Sequence, residues 1–249
     1  MDSTVQSTPT TGQMVEKQGR DVAAMARLAL LLLAAVLMVT DLALIFLWVP
    51  TEQVMGVVQR IMYFHVPLAW VGFLAFFVVF CASALYLWKG WRRMDALGHS
   101  AAEIGVLFTT LMLVTGATWA KPIWGVWWTW DPRLTTALIL WFLYVAYLML
   151  RAYAPTPAQA ARYSAAMGII GFVDVPIVYF SVIWWRAVHP AVVVGPAAES
   201  GSLDSSMLVT LMFSLLTFTV LFSYMLWERF SLRIASDEVE AMRYFERTT

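Results

Sequence analysis

The sequence predicts an all-α, polytopic membrane protein with six transmembrane helices and both termini cytoplasmic. Three observations carry that prediction. Of 249 residues, 61% are hydrophobic and only 13% charged, about half the charge share of an ordinary soluble domain. Six apolar runs approach or exceed the roughly 20 residues that cross a bilayer. Finally, the 16 lysines and arginines divide unevenly between the two ends of these runs. Twelve lie on the side of the termini and four on the other, and basic excess marks the cytoplasmic side.

The elements follow in order. Residues 1–22 are polar, rich in Ser, Thr and Gln, with Glu16 and Lys17. They lack the apolar core and small-residue cleavage site of a signal peptide and are expected to form a flexible cytoplasmic tail. A membrane domain over 23–230 begins with the span Leu28–Val49, which contains Asp41, a carboxylate with no obvious mate. The first outer loop carries Arg60 and closes on Met62-Tyr63-Phe64-His65-Val66-Pro67, the proline placed to open the second span, Val66–Trp88. Lys89, Arg92, Arg93 and His99 fall in the next, inner loop. The third span, Ala101–Ala120, has Glu103 near its start, where a carboxylate suits the helix dipole. The fourth span is Leu134–Leu150, followed by an inner loop with Arg151 and Arg162. Within the fifth, Tyr163–Trp185, Asp174 precedes Val175-Pro176. The proline interrupts the helix, and Asp174 is either a polar patch for that kink or a functional group. The segment from Arg186 to Ser205 leads to the last span, Ser206–Trp227, and residues 231–249 form a cytoplasmic tail.

One connection stands apart. The outer loop 119–135, WAKPIWGVWWTWDPRLT, holds Trp119, Trp124, Trp127, Trp128 and Trp130 together with Lys121, Gly125, Asp131 and Arg133. Its two prolines and glycine argue against an uninterrupted helix. Indole suits the boundary between water and hydrocarbon, so an aromatic belt is one reading. A floor for a flat apolar ligand is the other, because five indoles exceed what anchoring requires.

The remaining composition narrows the chemistry. A net charge of zero gives no reason to invoke nucleic acid. The single Cys81 cannot form an internal disulfide or a C-x-x-C pair. No P-loop is present, so nucleotide hydrolysis would fall to a partner. Of three histidines, His65 and His189 belong to the outer face with the tryptophans, while His99 lies across the membrane. A lone interfacial histidine is more often a polar cap than a ligand. Two beside an aromatic loop suggest a porphyrin, whose iron can take two neutral imidazoles and whose propionates would want cations such as Arg60, Lys121, Arg133 and Arg186. Zinc fits less well, since two histidines and Asp131 would leave five tryptophans without a reason.

The segment Trp124-Gly125-x-x-Trp128-x-Trp130-Asp131, followed by Pro132-Arg133-Leu134-Thr135, resembles the WWD signature of heme-handling proteins in cytochrome c assembly. Six helices, with one histidine before the second and one after the fifth, resemble the cytochrome c maturation protein C (CcmC) family within that group. Met62-Tyr63-x-His65-Val66-Pro67-x-Ala69-Trp70 and Val175-Pro176-Ile177-Val178-x-Phe180-Ser181-Val182-x-Trp184-Trp185 are similar to its other landmarks. The likeness is close from Arg60 to Pro190 and looser over the six-helix frame; the N-terminal tail is outside it.

The resemblance implies a non-enzymatic protein of the bacterial inner membrane that holds heme b as cargo on the periplasmic side. It implies hand-over to a periplasmic chaperone, maturation protein E, alongside an ABC transporter complex of maturation proteins A, B and D. It further implies that His65 and His189 are axial ligands and that Trp119, Trp124, Gly125, Trp128, Trp130 and Asp131 form a platform where heme meets the chaperone. The alternatives are a membrane b-type cytochrome in electron transfer, a transporter such as a heme-export permease subunit, and a structural subunit with an ordinary aromatic belt.

Overall fold

In the computed structural model, which describes residues 11–185, 189 and 203–248, the chain is a bundle of helices joined by short connections. Helix α1 runs from Thr11 to Ala43 and ends in a π-helical turn, Leu44–Trp48. A 3₁₀ turn, Val57–Ile61, feeds α2, Met62–Lys89. Then come α3, Arg92–Trp124, and α4, Pro132–Tyr153. Helices α5, Pro157–Phe172, and α6, Asp174–Trp185, together make one span broken at Val173. Helix α7 runs from Ser205 to Thr248. Six of the resulting segments are long and apolar enough to cross a membrane, and six crossings return both termini to one side.

Most helices are longer than the apolar runs within them. Hydropathy marks the stretch immersed in hydrocarbon, whereas backbone hydrogen bonding continues past it until a capping residue intervenes. Helix α2 begins at Met62 rather than Val66, so His65 is helical and Pro67 lies inside the helix. The buried Met62 and Tyr63 pack with Ile45, Val49 and Leu211, which anchors this early start. Helix α3 begins at Arg92, so His99 lies on a helix instead of in a loop. Glu103 is then a full eleven positions into that helix, out of reach of its dipole end. Its partner is the Arg229 guanidinium of α7, which donates to the carboxylate through Nε and Nη2, and His99 Nε2 lies 3.5 Å away on the preceding turn. Helix also persists from Thr11 into the first span, and through 231–248 beyond the last.

Two close approaches hold the centre of the bundle. Helices α2 and α3 form the most extensive pair. At Gly105 a Cβ would fall 2.4 Å from Cε1 of Phe76, so the ring occupies space that only glycine leaves. Phe76 in turn stacks on Tyr144 of α4 with centroids 3.5 Å apart. Leu68, Val71, Val79, Phe108, Leu140 and Phe218 complete this core. Helix α1 packs mainly on α7, and there Asp41 finds its mate, with the Ser214 hydroxyl donating at 2.7 Å. The other Asp41 oxygen is buried with no partner among the described residues. Asp174 sits where the fifth span breaks, and one of its oxygens is likewise buried and unpartnered among them. Most of the large apolar side chains left exposed, such as Leu32, Val36 and Val39 on α1 and Leu107, Leu111 and Val114 on α3, lie on membrane-spanning segments.

Candidate functional site

The N-terminal turn of α2, the C-terminal half of α3, the start of α4 and α6 converge at one end of the bundle. Between them is a cleft with about 750 Å³ of unfilled space, part of it open to the surroundings. His65 and His189 both line it. Their ring centroids are 6.3 Å apart and their planes are inclined by 34°. His189 follows α6, residues 186–188 lying outside the described ones. Trp119 meets His65 edge-on at 6.0 Å. The rest of the wall is largely apolar: Ala69 and Phe73 from α2, Met112, Gly116 and Ile123 from α3, Ala137 from α4 and Val178 from α6.

The tryptophan segment divides into two parts. Helix α3 continues through Pro122 to Trp124, so the residues from Trp119 are helical where a loop is expected. Proline there forfeits one backbone bond in the last turn, a smaller penalty than in mid-helix. Gly125, at φ +75°, ends the helix in the left-handed conformation that glycine adopts freely, and its N–H donates to the Lys121 carbonyl. Trp119, Trp124 and Trp128 line the cleft. Trp127 and Trp130 are instead 59% and 75% exposed, although Trp130 meets Trp128 edge-on at 5.8 Å. The indole N–H groups of Trp119 and Trp128 are buried and have no acceptor among the described residues.

Asp131 has a local task. Its Oδ1 accepts from the backbone N–H of Arg133 and Leu134 at 2.9 and 3.2 Å, capping α4, and Pro132 occupies the first helical position. Its Oδ2 accepts from the Thr129 hydroxyl at 2.7 Å. The carboxylate therefore shapes the segment between the exposed tryptophans and α4.

Of the four cations expected on the side of the tryptophan segment, Arg133 lines the cleft, and its Nη1 donates to the Tyr179 carbonyl at 3.4 Å. Lys121 instead donates to the Gly125 carbonyl at 2.8 Å, and Arg60 reaches Thr51 and lies over the ring of Phe46. Arg186 lies outside the described residues. His99 is on α3 seventeen residues from Gly116, which touches the His65 ring; at 1.5 Å per residue that is about 25 Å along the helix. No three His, Cys, Asp or Glu side chains form a metal-holding group among the described residues, so Asp131 does not join the histidines.

Thr115 and Gly116 were not singled out in the sequence, and both touch His65. Their signal is periodicity: Met112, Gly116, Trp119, Ala120 and Ile123 recur at helical spacing on the face of α3 that carries Trp119.

Paired imidazoles and indoles thus surround an apolar cleft, the usual form of a small-molecule site, at one end of a bundle whose helices are long and apolar enough to cross a membrane. Comparison with known proteins is more specific. The family model described as CcmC, heme exporter protein C, matches residues 15–244. This chain belongs to that family. It is 39% identical over 176 residues to heme exporter protein C of Bradyrhizobium diazoefficiens, covering 70% of this chain and 65% of the relative. To heme exporter protein C of Escherichia coli K12 it is 37% identical over 180 residues, 71% of this chain and 70% of the relative. The protein of the same name from Haemophilus influenzae is 34% identical over 192 residues, 77% of each chain. The matched stretch thus falls just short of two thirds of the Bradyrhizobium protein.

Proposed function

We propose that this chain binds heme at the outer, periplasmic face of the inner membrane through His65 and His189 and passes it to a periplasmic heme chaperone for cytochrome c maturation. The observation that carries the reading is the separation of the two imidazoles. Two imidazoles that would hold one metal ion must come close enough for each to offer a nitrogen at about 2 Å from it. The two rings here are 6.3 Å apart. Family membership and the relatives' name, heme exporter protein C, point to the same cargo.

The donor set fits heme in other respects. Trp119, Trp124 and Trp128 offer flat apolar faces along the cleft, and Phe73 and Met112 extend the apolar wall. Arg133 and the two indole N–H groups that have no acceptor among the described residues are donors for the carboxylates of the cargo. Bound heme supplies iron that accepts two neutral nitrogen ligands. The exposed Trp127 and Trp130, outside the cleft wall, form the face offered to the chaperone. The twelve basic residues at the opposite end keep that end cytoplasmic, where ATP-binding cassette partners, maturation proteins A and B with the small protein D, supply the hydrolysis for which this chain has no P-loop. It acts as a binding and transfer protein, not an enzyme. Only three histidines exist, so the second bis-histidine heme of a transmembrane electron relay has no ligand pair here.

The test is the oxidised and reduced absorption spectrum of detergent-purified protein, normalised to protein. His65→Ala and His189→Ala should each alter the heme spectrum and lower heme content, the double variant should lose most of its heme, and His99→Ala should match the parent. Parent-like spectra from both single variants would place the iron elsewhere.

A further inference from the structure

The hydrogen bond to His65 bears on which ring nitrogen carries the proton. Nδ1 lies 3.1 Å from Oγ1 of Thr115 on α3. A threonine hydroxyl has one proton, and Thr115 directs it to its own helix, with Oγ1 2.8 Å from the Leu111 carbonyl and 3.0 Å from that of Met112. Both carbonyls are nearer to Oγ1 than the imidazole is, so the arrangement favours an Oγ1 that accepts from the ring and an Nδ1 that carries the N–H. A neutral imidazole then has its free lone pair on Nε2.

The same chain contains two arrangements in which the direction is not open to choice. Trp141 Nε1 reaches Thr110 Oγ1 at 2.8 Å while that hydroxyl donates to the Val106 carbonyl at 2.7 Å. Trp70 Nε1 reaches Thr219 Oγ1 at 3.0 Å while that hydroxyl donates to the Leu215 carbonyl at 2.6 Å. Indole nitrogen is only ever a donor. In both, a threonine whose proton closes back on its helix accepts from a ring N–H, and Thr115 stands toward His65 in the same way.

The adjacent residue sets where the ring lies. A Cβ on Gly116 would fall 3.0 Å from Cε1 of His65, the carbon between the two nitrogens, and 3.6 Å from Nδ1. The imidazole rests against backbone that a methyl group would cover. Trp119 on the same helix meets the ring edge-on, and the Met112 carbonyl, which also accepts from Thr115, is a second acceptor within reach of the imidazole.

We propose that Thr115 and Gly116 are a positioning pair for His65: Thr115 holds it in the Nδ1–H tautomer, and Gly116 leaves the space in which the ring presents Nε2. The consequence for heme rests on the reading of His65 as a ligand; the tautomer does not. A hydrogen bond to the distal nitrogen of a ligating histidine fixes its tautomer and raises its basicity, and losing such a partner costs about 10–100-fold in affinity.

The experiment has two arms. In the first, full-length protein purified without heme and labelled with 15N- and 13C-histidine is assigned by His65→Ala, and the ring nitrogen shifts are read directly. His65 should show a protonated Nδ1 and an unprotonated Nε2. Thr115→Val should give a tautomer mixture, and Thr115→Ser should restore the parent pattern. In the second, heme-loaded Thr115→Val should retain about tenfold less heme under competing free imidazole, with a shifted midpoint potential, and Thr115→Ser should reverse both. Gly116→Ala should displace the low-spin spectrum while leaving the apo tautomer in place. An Nε2–H tautomer in the parent protein, or a tautomer indifferent to Thr115→Val, overturns the proposal. A tautomer that follows Thr115 while heme is indifferent to His65→Ala would sustain the positioning pair and refute the ligand reading instead.

Discussion

Asp131 offers the sharpest separation of a structural role from a recognition role. Its carboxylate makes three contacts: two backbone N–H groups at the start of α4 and the Thr129 hydroxyl. Asp131→Ala removes all three. Loss of a capping side chain costs about 0.5–2 kcal/mol, typically about 1. Since about 1.4 kcal/mol is a factor of ten in an equilibrium, the ordered form of the Trp128–Trp130 segment should fall about fivefold, and at most about 30-fold. The membrane helices lose none of their core, so the protein should still insert at normal levels. Asp131 does not line the cleft, and the heme spectrum should therefore stay that of the parent while the rate of heme appearing on the chaperone drops. Asp131→Asn keeps an oxygen in the Oδ1 position to accept both N–H groups, and its amide can donate to Thr129. Transfer by this variant should be within about twofold of the parent, since an asparagine cap serves about as well as aspartate. The assay pairs single-turnover heme transfer to purified chaperone with hydrogen exchange at the first turn of α4. If Asp131→Asn fails as badly as Asp131→Ala while its α4 stays protected, the negative charge itself addresses a partner, and the capping account is wrong.

Two further outcomes follow from the same geometry. In a Cys81→Ala background, Val126→Cys should react with a membrane-impermeant maleimide in intact spheroplasts and Arg93→Cys only after the membrane is opened; both positions are exposed, so the opposite labelling would invert the topology. Gly105→Ala should lower the thermal stability of the purified protein by about 1–3 kcal/mol, because the new methyl collides with a Phe76 ring already stacked on Tyr144; unchanged stability would show that α2 and α3 are not so closely packed.

The six spans, and the gathering of His65, His189 and the tryptophans at one end, were legible in the sequence. Crossing a bilayer requires only a local sum of apolar side chains over about 20 residues, and a count of crossings then assigns each connection to a side. The position of Asp131 before Pro132 was open to local reading as a helix cap, and so was Gly125 as a helix stop. Helix ends outside the hydrocarbon were not, because hydropathy is silent where a helix leaves the apolar layer; Glu103 and His99 were misplaced for that reason. Tertiary structure alone brought Glu103 to Arg229, 126 residues away, and Asp41 to Ser214, 173 residues away. It also selected Arg133 for the cleft over Lys121 and Arg60, both turned to other partners. Above all it placed His65 and His189, 124 positions apart, at a separation of 6.3 Å. Contacts of that kind depend on how whole helices pack, and helix packing is decided by side chains such as Gly105 and Phe76 whose fit across an interface leaves no local periodic trace.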